Sequence, residues 1–243
     1  MTAVEICIDD VDGAPIAEAC GADRVEVCAA LSEGGTTPSI GLVRAVLARV
    51  SRIGVQVLVR PRAGDFTYSP AEVDVMLADI AAVRALDAAV PVGFVVGALT
   101  PDGGIDVELL DRLVAAAGPC PVTFHRAFDT LPDLPAALPL LIDAGVARVL
   151  TSGGAPTAAE GTDVLRRLVE LAAGQVQVLA GGSVRGSNVA ALVAGTGVPE
   201  VHLRAAEPVV PSAAASATGV DYSVPRLATA PGPIRAVVEA LAS

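Results

Sequence analysis

The chain contains no lysine and no tryptophan, and only 2% of its 243 residues are aromatic. All 16 basic side chains are therefore arginine. Without lysine there is no Schiff-base aldolase chemistry, no internal pyridoxal phosphate aldimine and no P-loop. With so few aromatics, the core must be assembled from Val, Leu, Ile and Ala, a palette that suits parallel strands buried on both faces. Hydrophobic residues reach 53%, yet no uninterrupted apolar run of about 18 residues occurs, so no spanning helix is expected. Positive charge is scarce as well. A formal net charge of −11 argues against nucleic acid, whose phosphates require clustered basic side chains, and against an anionic membrane surface. No basic segment followed by an apolar stretch opens the sequence, where Arg24 is the first positive side chain. A soluble, cytoplasmic protein is expected. CxxC pairs are absent too: the cysteines at 7, 20, 28 and 120 fit neither zinc nor thioredoxin spacing, and read as reduced thiols.

What is present is a repeat. Val4-Glu5-Ile6-Cys7 returns as Val25-Glu26-Val27-Cys28. In a strand, side chains alternate faces, so Glu and Cys of each copy share one face. The segment from Val11 to Gly21 can hold a short helix stopped by Gly21. Strand, helix and strand make a βα unit with the two copies side by side, their cysteines at matching heights. Buried Glu is rare unless paired or used, which makes this doublet the first pointer to a site.

Short apolar segments alternate with helix-length amphipathic ones along the rest of the sequence. Strands are predicted at 3–7, 24–28, 55–60, 92–96, 121–125, 148–150, 176–180 and 200–203. Helices are predicted at 14–20, 40–50, 70–87, 107–117, 134–144, 158–173, 187–194 and 233–242. This alternation favours an α/β fold, a single-domain (β/α)8 TIM-like barrel over residues 1–243, with an open doubly wound sheet as the alternative. Residues 205–232, rich in Ala, Pro, Ser and Val without periodicity, read as a long loop or lid after the eighth strand. Such a loop is mobile or packs against a second subunit of a homo-oligomer.

Catalytic residues of such barrels sit at the carboxyl ends of the strands. There the sequence places Arg60 and Arg62 after strand three, His125, Arg126 and Asp129 after strand five, Ser152 after strand six, Gly181 and Gly182 after strand seven, and His202 on strand eight. Both histidines of the chain thus fall at this rim. The Gly181-Gly182-Ser183 turn precedes a helix, where exposed N–H groups hold anions. The alternative is a plain glycine turn, and the arginines serve either a polyanion site or neutralisation of Glu5, Glu26, Asp65 and Asp129.

Several motifs in register resemble the CutC copper-homeostasis family. They are Gly21-Ala22-Asp23-Arg24-Val25-Glu26-Val27-Cys28, Glu33-Gly34-Gly35-Thr36-Thr37-Pro38-Ser39, the run from Arg60 to Ser69, the run from Thr123 to Asp129, and Arg148-Val149-Leu150-Thr151-Ser152-Gly153. The resemblance covers roughly residues 3–204 and implies a TIM-like barrel, a cytoplasmic protein and a part in copper handling. Its proposed Cu(I) thiols fall on Cys7 and Cys28. The sequence departs from the family pattern at Ile8, where a second Cys is common, and at Leu203-Arg204, where small hydroxyl residues are usual.

Two functions are carried forward. In one, Cys7 and Cys28 bind Cu(I), a soft ion suited to thiolates. In the other, the chain is an enzyme doing acid/base chemistry on a small phosphorylated or carboxylated molecule. Glu5, Glu26 and His125 would then be its catalytic groups, and Arg60, Arg126, Ser152, Gly181, Gly182 and His202 would hold the anion. The partners expected are a copper ion or a small anionic ligand.

Overall fold

A computed structural model describes residues 2–209 and 226–242. Its strands are β1 (Ala3–Ile8), β2 (Arg24–Val27), β3 (Gly54–Leu58), β4 (Val92–Val96), β5 (Val122–Phe124), β6 (Arg148–Thr151), β7 (Gln177–Gly181) and β8 (Glu200–Leu203). They pair in parallel in sequence order, and β8 pairs with β1. The sheet is therefore a closed barrel, and the open-sheet alternative is excluded. Around it lie α1 (Gly13–Ala19), α2 (Ile40–Leu47), α3 (Pro70–Arg84), α4 (Val107–Ala117), α5 (Leu134–Asp143), α6 (Thr162–Ala172), α7 (Val189–Thr196) and α8 (Pro231–Ala242).

Local chemistry explains where the helices start. Ser69 accepts from the Glu72 amide while the Glu72 side chain accepts from the Ser69 amide, a reciprocal cap with Pro70 at the first helical position. Ser39, Asp106 and Asp133 cap α2, α4 and α5 more simply, each side chain accepting one amide N–H of the first turn. The predicted start of α6 at Ala158 is four residues early. Gly161 passes so close to the Ser152 carbonyl that an added Cβ would lie 1.9 Å from it, which fixes residues 158–161 as a turn.

The strands divide their side chains between two interiors. Val25, Val27, Val55, Val57, Val149 and Val201 point outward and are buried against helix residues such as Val43, Val46, Leu110, Leu138 and Leu168. Three of the four phenylalanines, Phe94, Phe124 and Phe128, are fully buried in this outer layer. The other interior is the barrel itself, and it is largely polar.

The expectation of an aperiodic loop over 205–232 is corrected at both ends. β9 (Ala206–Val209) pairs antiparallel with β10 (Arg226–Thr229), and α8 already begins at Pro231. Asp10 anchors the pair by accepting from the Thr229 amide (3.0 Å) and hydroxyl (2.7 Å). Strand pairing satisfies backbone groups that would otherwise go unmet, and the flanking stretches were too short to display a period. Residues 210–225, the middle of the expected lid, lie outside the described residues.

Candidate functional site

Closing a barrel staggers its strands, and the stagger decides which inward side chains meet. Glu5 is level with Arg24 on one side and His202 on the other, whereas Cys7 is level with Glu26. The two Glu-x-Cys copies are thus offset by two residues. Cys28 lies one pleat nearer the mouth than Cys7, which corrects the expectation of matching heights.

The floor of the barrel is ionic. Glu5 Oε2 is 2.6 Å from Arg24 Nε, Arg24 Nη2 is 2.6 Å from Glu200 Oε2, and Arg148 Nε is 2.9 Å from the same carboxylate oxygen. Glu5 is 1% exposed. Burial alone would raise its pKa, but the His202 hydrogen bond and the charge of Arg24 outweigh that and hold it at about 2. Glu5 is therefore a fixed anion. Glu200 and Arg148 were missed by the sequence reading. The signal was there for Glu200, which precedes His202 by two residues and so shares its face.

Above the floor sits a group of potential ligands. His202 Nδ1 is 2.8 Å from Glu5 Oε1, and its Nε2 is 3.7 Å from Glu26 Oε2. One ligand atom each from Cys7, Glu26 and His202 lies within 4.8 Å of the other two. Glu26 has no cationic pair as close as those of Glu5. Burial raises its pKa to about 6, with the Glu5 charge adding to the effect. Burial would lower the pKa of His202, but the Cys7 sulfur, Glu5 and Glu26 overcome it and hold the imidazolium well above its ordinary range. Two carboxylates of one type are thus driven apart by their neighbours.

Cys28 is outside that trio but lines the same cavity. Its thiol points to the Glu26 carbonyl at 3.9 Å. Burial, then the charge of Glu26, pushes its pKa well above the usual thiol value. It is a thiol that ionises only when something takes its proton.

The cavity opens above this group, with a volume of about 400 Å³. One wall is Arg60, Phe66 and His125. The Arg60 guanidinium lies 5.0 Å from the Phe66 ring centroid, and the His125 ring lies 4.9 Å from it on a tilted approach. Arg60 donates to the carbonyls of Gly35 (2.6 Å), Gly64 (2.7 Å) and Glu33 (3.3 Å). His125 fits because position 97 is glycine; a Cβ there would stand 2.2 Å from its ring. Leu58 and Leu150 add apolar surface, and Arg126 and Arg204 stand at the mouth. Arg126 is tied to Asp129 (2.7 Å) and Ser152 (2.8 Å), and Arg204 reaches Asp9 at 3.4 Å.

Of the residues singled out from sequence, Cys7, Glu26, Cys28, Arg60, His125, Arg126 and His202 line this one cavity. Glu5 supports it from behind His202. Ser152, Gly181 and Gly182 do not line it. Ser152 fixes Arg126 and Asp129, while a Cβ at Gly181 would meet Leu150 at 2.6 Å. That glycine makes room for the Leu150 side chain. Arg62 is spent on Asp65 and Glu72.

Comparison with known proteins gives a consistent picture. The profile of the CutC family matches residues 2–207. A human protein described as a copper homeostasis protein cutC homolog is 48% identical over 202 residues, covering 83% of this chain and 72% of the relative. A CutC family protein of Rhizobium meliloti is 44% identical over 199 residues, 82% of this chain and 79% of its own. Among solved structures, CutC from Streptococcus agalactiae superposes with a TM-score of 0.78 at 31% identity, over 83% of this chain and 98% of that one. Phosphoribosylanthranilate isomerase from Pyrococcus furiosus shares the barrel alone, with a TM-score of 0.58 at 15% identity over 100% and 99% of the two chains.

Proposed function

The chain belongs to the CutC family, and from that premise we propose that it serves copper homeostasis by binding Cu(I) at the base of the barrel cavity. Cys7 is the principal ligand, with His202 Nε2 and the Cys28 thiol as its partners. The observation that carries this reading is the convergence of Cys7, Glu26 and His202 ligand atoms within 4.8 Å, in a chain with a copper-homeostasis relative at 48% identity.

The donor set fits the ion. Thiolate and imidazole both bind Cu(I), which accepts as few as two ligands. Glu5 would act as the outer partner of a metal-bound histidine: its carboxylate fixes Nδ1 and leaves Nε2 facing the ion. Glu26 is a harder donor and suits Zn(II) better, so it stays outside the proposed Cu(I) ligand set. Four unpaired cysteines suit a reducing cytoplasm, where copper is carried as Cu(I).

The test is a Cu(I) titration of reduced, metal-free protein against a chromophoric chelator. One equivalent is expected to bind. Cys7→Ser should weaken binding at least tenfold, and Cys7→Ser/Cys28→Ser should abolish it. Undiminished affinity in the double variant, or stoichiometric Zn(II) binding with none of Cu(I), overturns the reading.

A further inference from the structure

The upper wall of the cavity contains two donors that nothing in the described residues accepts. His125 Nδ1 accepts the Ala127 amide N–H at 3.1 Å. A neutral imidazole that accepts at Nδ1 carries its proton on Nε2. That Nε2–H is buried and has no hydrogen-bond partner among the described residues. The residue as a whole is 6% exposed and lines the cavity.

Arg60 has the same shortfall. It too is 6% exposed. Its terminal nitrogens are held by carbonyls, while its Nε–H is buried and makes no hydrogen bond, although the guanidinium faces the Tyr68 hydroxyl. No carboxylate lies within ion-pair distance of its guanidinium among the described residues, unlike those of Arg24, Arg62, Arg126, Arg148 and Arg204. A buried cation without a counter-ion is costly, and so is each buried donor without an acceptor.

We propose that this wall is a binding site for the oxygen of a small organic oxyanion, a carboxylate or a phosphate monoester, with Arg60 supplying the charge and His125 Nε2–H a neutral donor. Phe66 packs against both groups, with Arg60 over its ring and His125 at a tilt. Of the three arginines that line the cavity, Arg126 and Arg204 are paired with Asp129 and Asp9, which leaves Arg60 as the one without a carboxylate partner among the described residues. Burial, then the charge of Arg60, lowers the pKa of His125 to about 3, so the ring stays a neutral donor at physiological pH. The site lies above the Cys7–Glu26–His202 group and goes beyond the copper reading, since it requires no metal.

Calorimetry on metal-free protein with glycolate, malonate and inorganic phosphate, against a chloride control, tests the proposal. The carboxylate and phosphate arms identify the source of the oxygen. Binding by at least one probe should shift the ¹⁵N resonance of His125 Nε2. His125→Phe keeps a ring against Phe66 but deletes the donor, and should weaken binding roughly ten- to a hundredfold. His125→Gln, which restores a neutral N–H, should recover most of it. Failure of all three probes to bind better than chloride, or equal affinity in His125→Phe, overturns the proposal. If His125→Phe does not fold, the wild-type ¹⁵N shift decides alone. Because metal is absent throughout, neither outcome depends on whether Cu(I) binds.

Discussion

Replacing Glu26 by glutamine should stabilise the metal-free protein, and only above a definite pH. Glu26 is 5% exposed, and its carboxyl is raised from 4.5 to about 6 by burial, with the facing Glu5 adding to the effect. Moving the pKa that far corresponds to about 2 kcal/mol, at ~1.4 kcal/mol per tenfold change. The sign follows from linkage. An acid held more tightly protonated in the folded state than in the unfolded one costs nothing below the unfolded value of 4.5. The penalty grows between 4.5 and about 6 and is complete above that. Glutamine mimics the protonated form. Glu26→Gln should therefore match wild type at pH 4 and exceed it by about 2 kcal/mol at pH 7.5. Urea unfolding in chelator-treated buffer at several pH values measures the difference. Glu5→Gln is the internal contrast, because that carboxyl is lowered to about 2. Its contribution of about 3 kcal/mol is present above pH 4.5 and lost as pH falls toward 2, so this variant should be less stable at neutral pH. A Glu26→Gln protein that is less stable at pH 7.5, or equally stabilised at pH 4, refutes the assignment of charge within the pair.

Gly97→Ala would drive a methyl into the His125 ring at 2.2 Å; a loss of about 1–3 kcal/mol is expected in denaturant melts, together with movement of the His125 resonances. Cys28, buried and with its thiol pKa raised, should react with iodoacetamide far more slowly than a free thiol at pH 8, as mass-resolved labelling will report; a rate matching free cysteine contradicts it. Cu(I) bound as proposed would displace protons from Cys28 and from a His202 held well above its ordinary pKa, so apparent affinity should rise with pH between 6 and 8; a flat profile in the chelator competition would exclude both residues as ligands. His125, lowered to about 3, should show no titration of its ring between pH 5 and 9 by ¹⁵N NMR, and its share of stability is lost as pH falls through the interval from 6.5 toward 3.

The barrel was legible because its code is local. The Val4–Cys7 and Val25–Cys28 repeats, and the outward valines at every second position, are visible within a few residues of sequence. Caps such as Ser69 with Glu72 mark helix starts just as locally. The site was legible as a set of residues but not as an arrangement. That Glu5 is level with Arg24 and His202, and Cys7 with Glu26, follows from the stagger of a closed sheet, which no single segment encodes. Glu5 meets His202 across 197 positions of sequence, and Glu200 meets Arg24 across 176. The fate of each arginine was equally hidden. Arg24, Arg60 and Arg126 look alike in sequence, yet one closes the floor, one is caged by carbonyls and one is tethered to Asp129. The strand pair β9–β10 was missed because its members are only four residues each.

The ionic floor has a kinetic consequence. With Glu5, Arg24, Glu200 and Arg148 locked together beneath the ligand group, the described residues plug the barrel at that end. A copper ion held at the Cys7 level, as proposed, would then enter and leave by the cavity mouth. Anything seated beside Arg60 and His125 stands between the deeper Cys7 level and solvent. If both proposed ligands bind, they would load and discharge in sequence, last in and first out, and a recipient of the deeper copper would have to dock over the mouth after the upper occupant has gone.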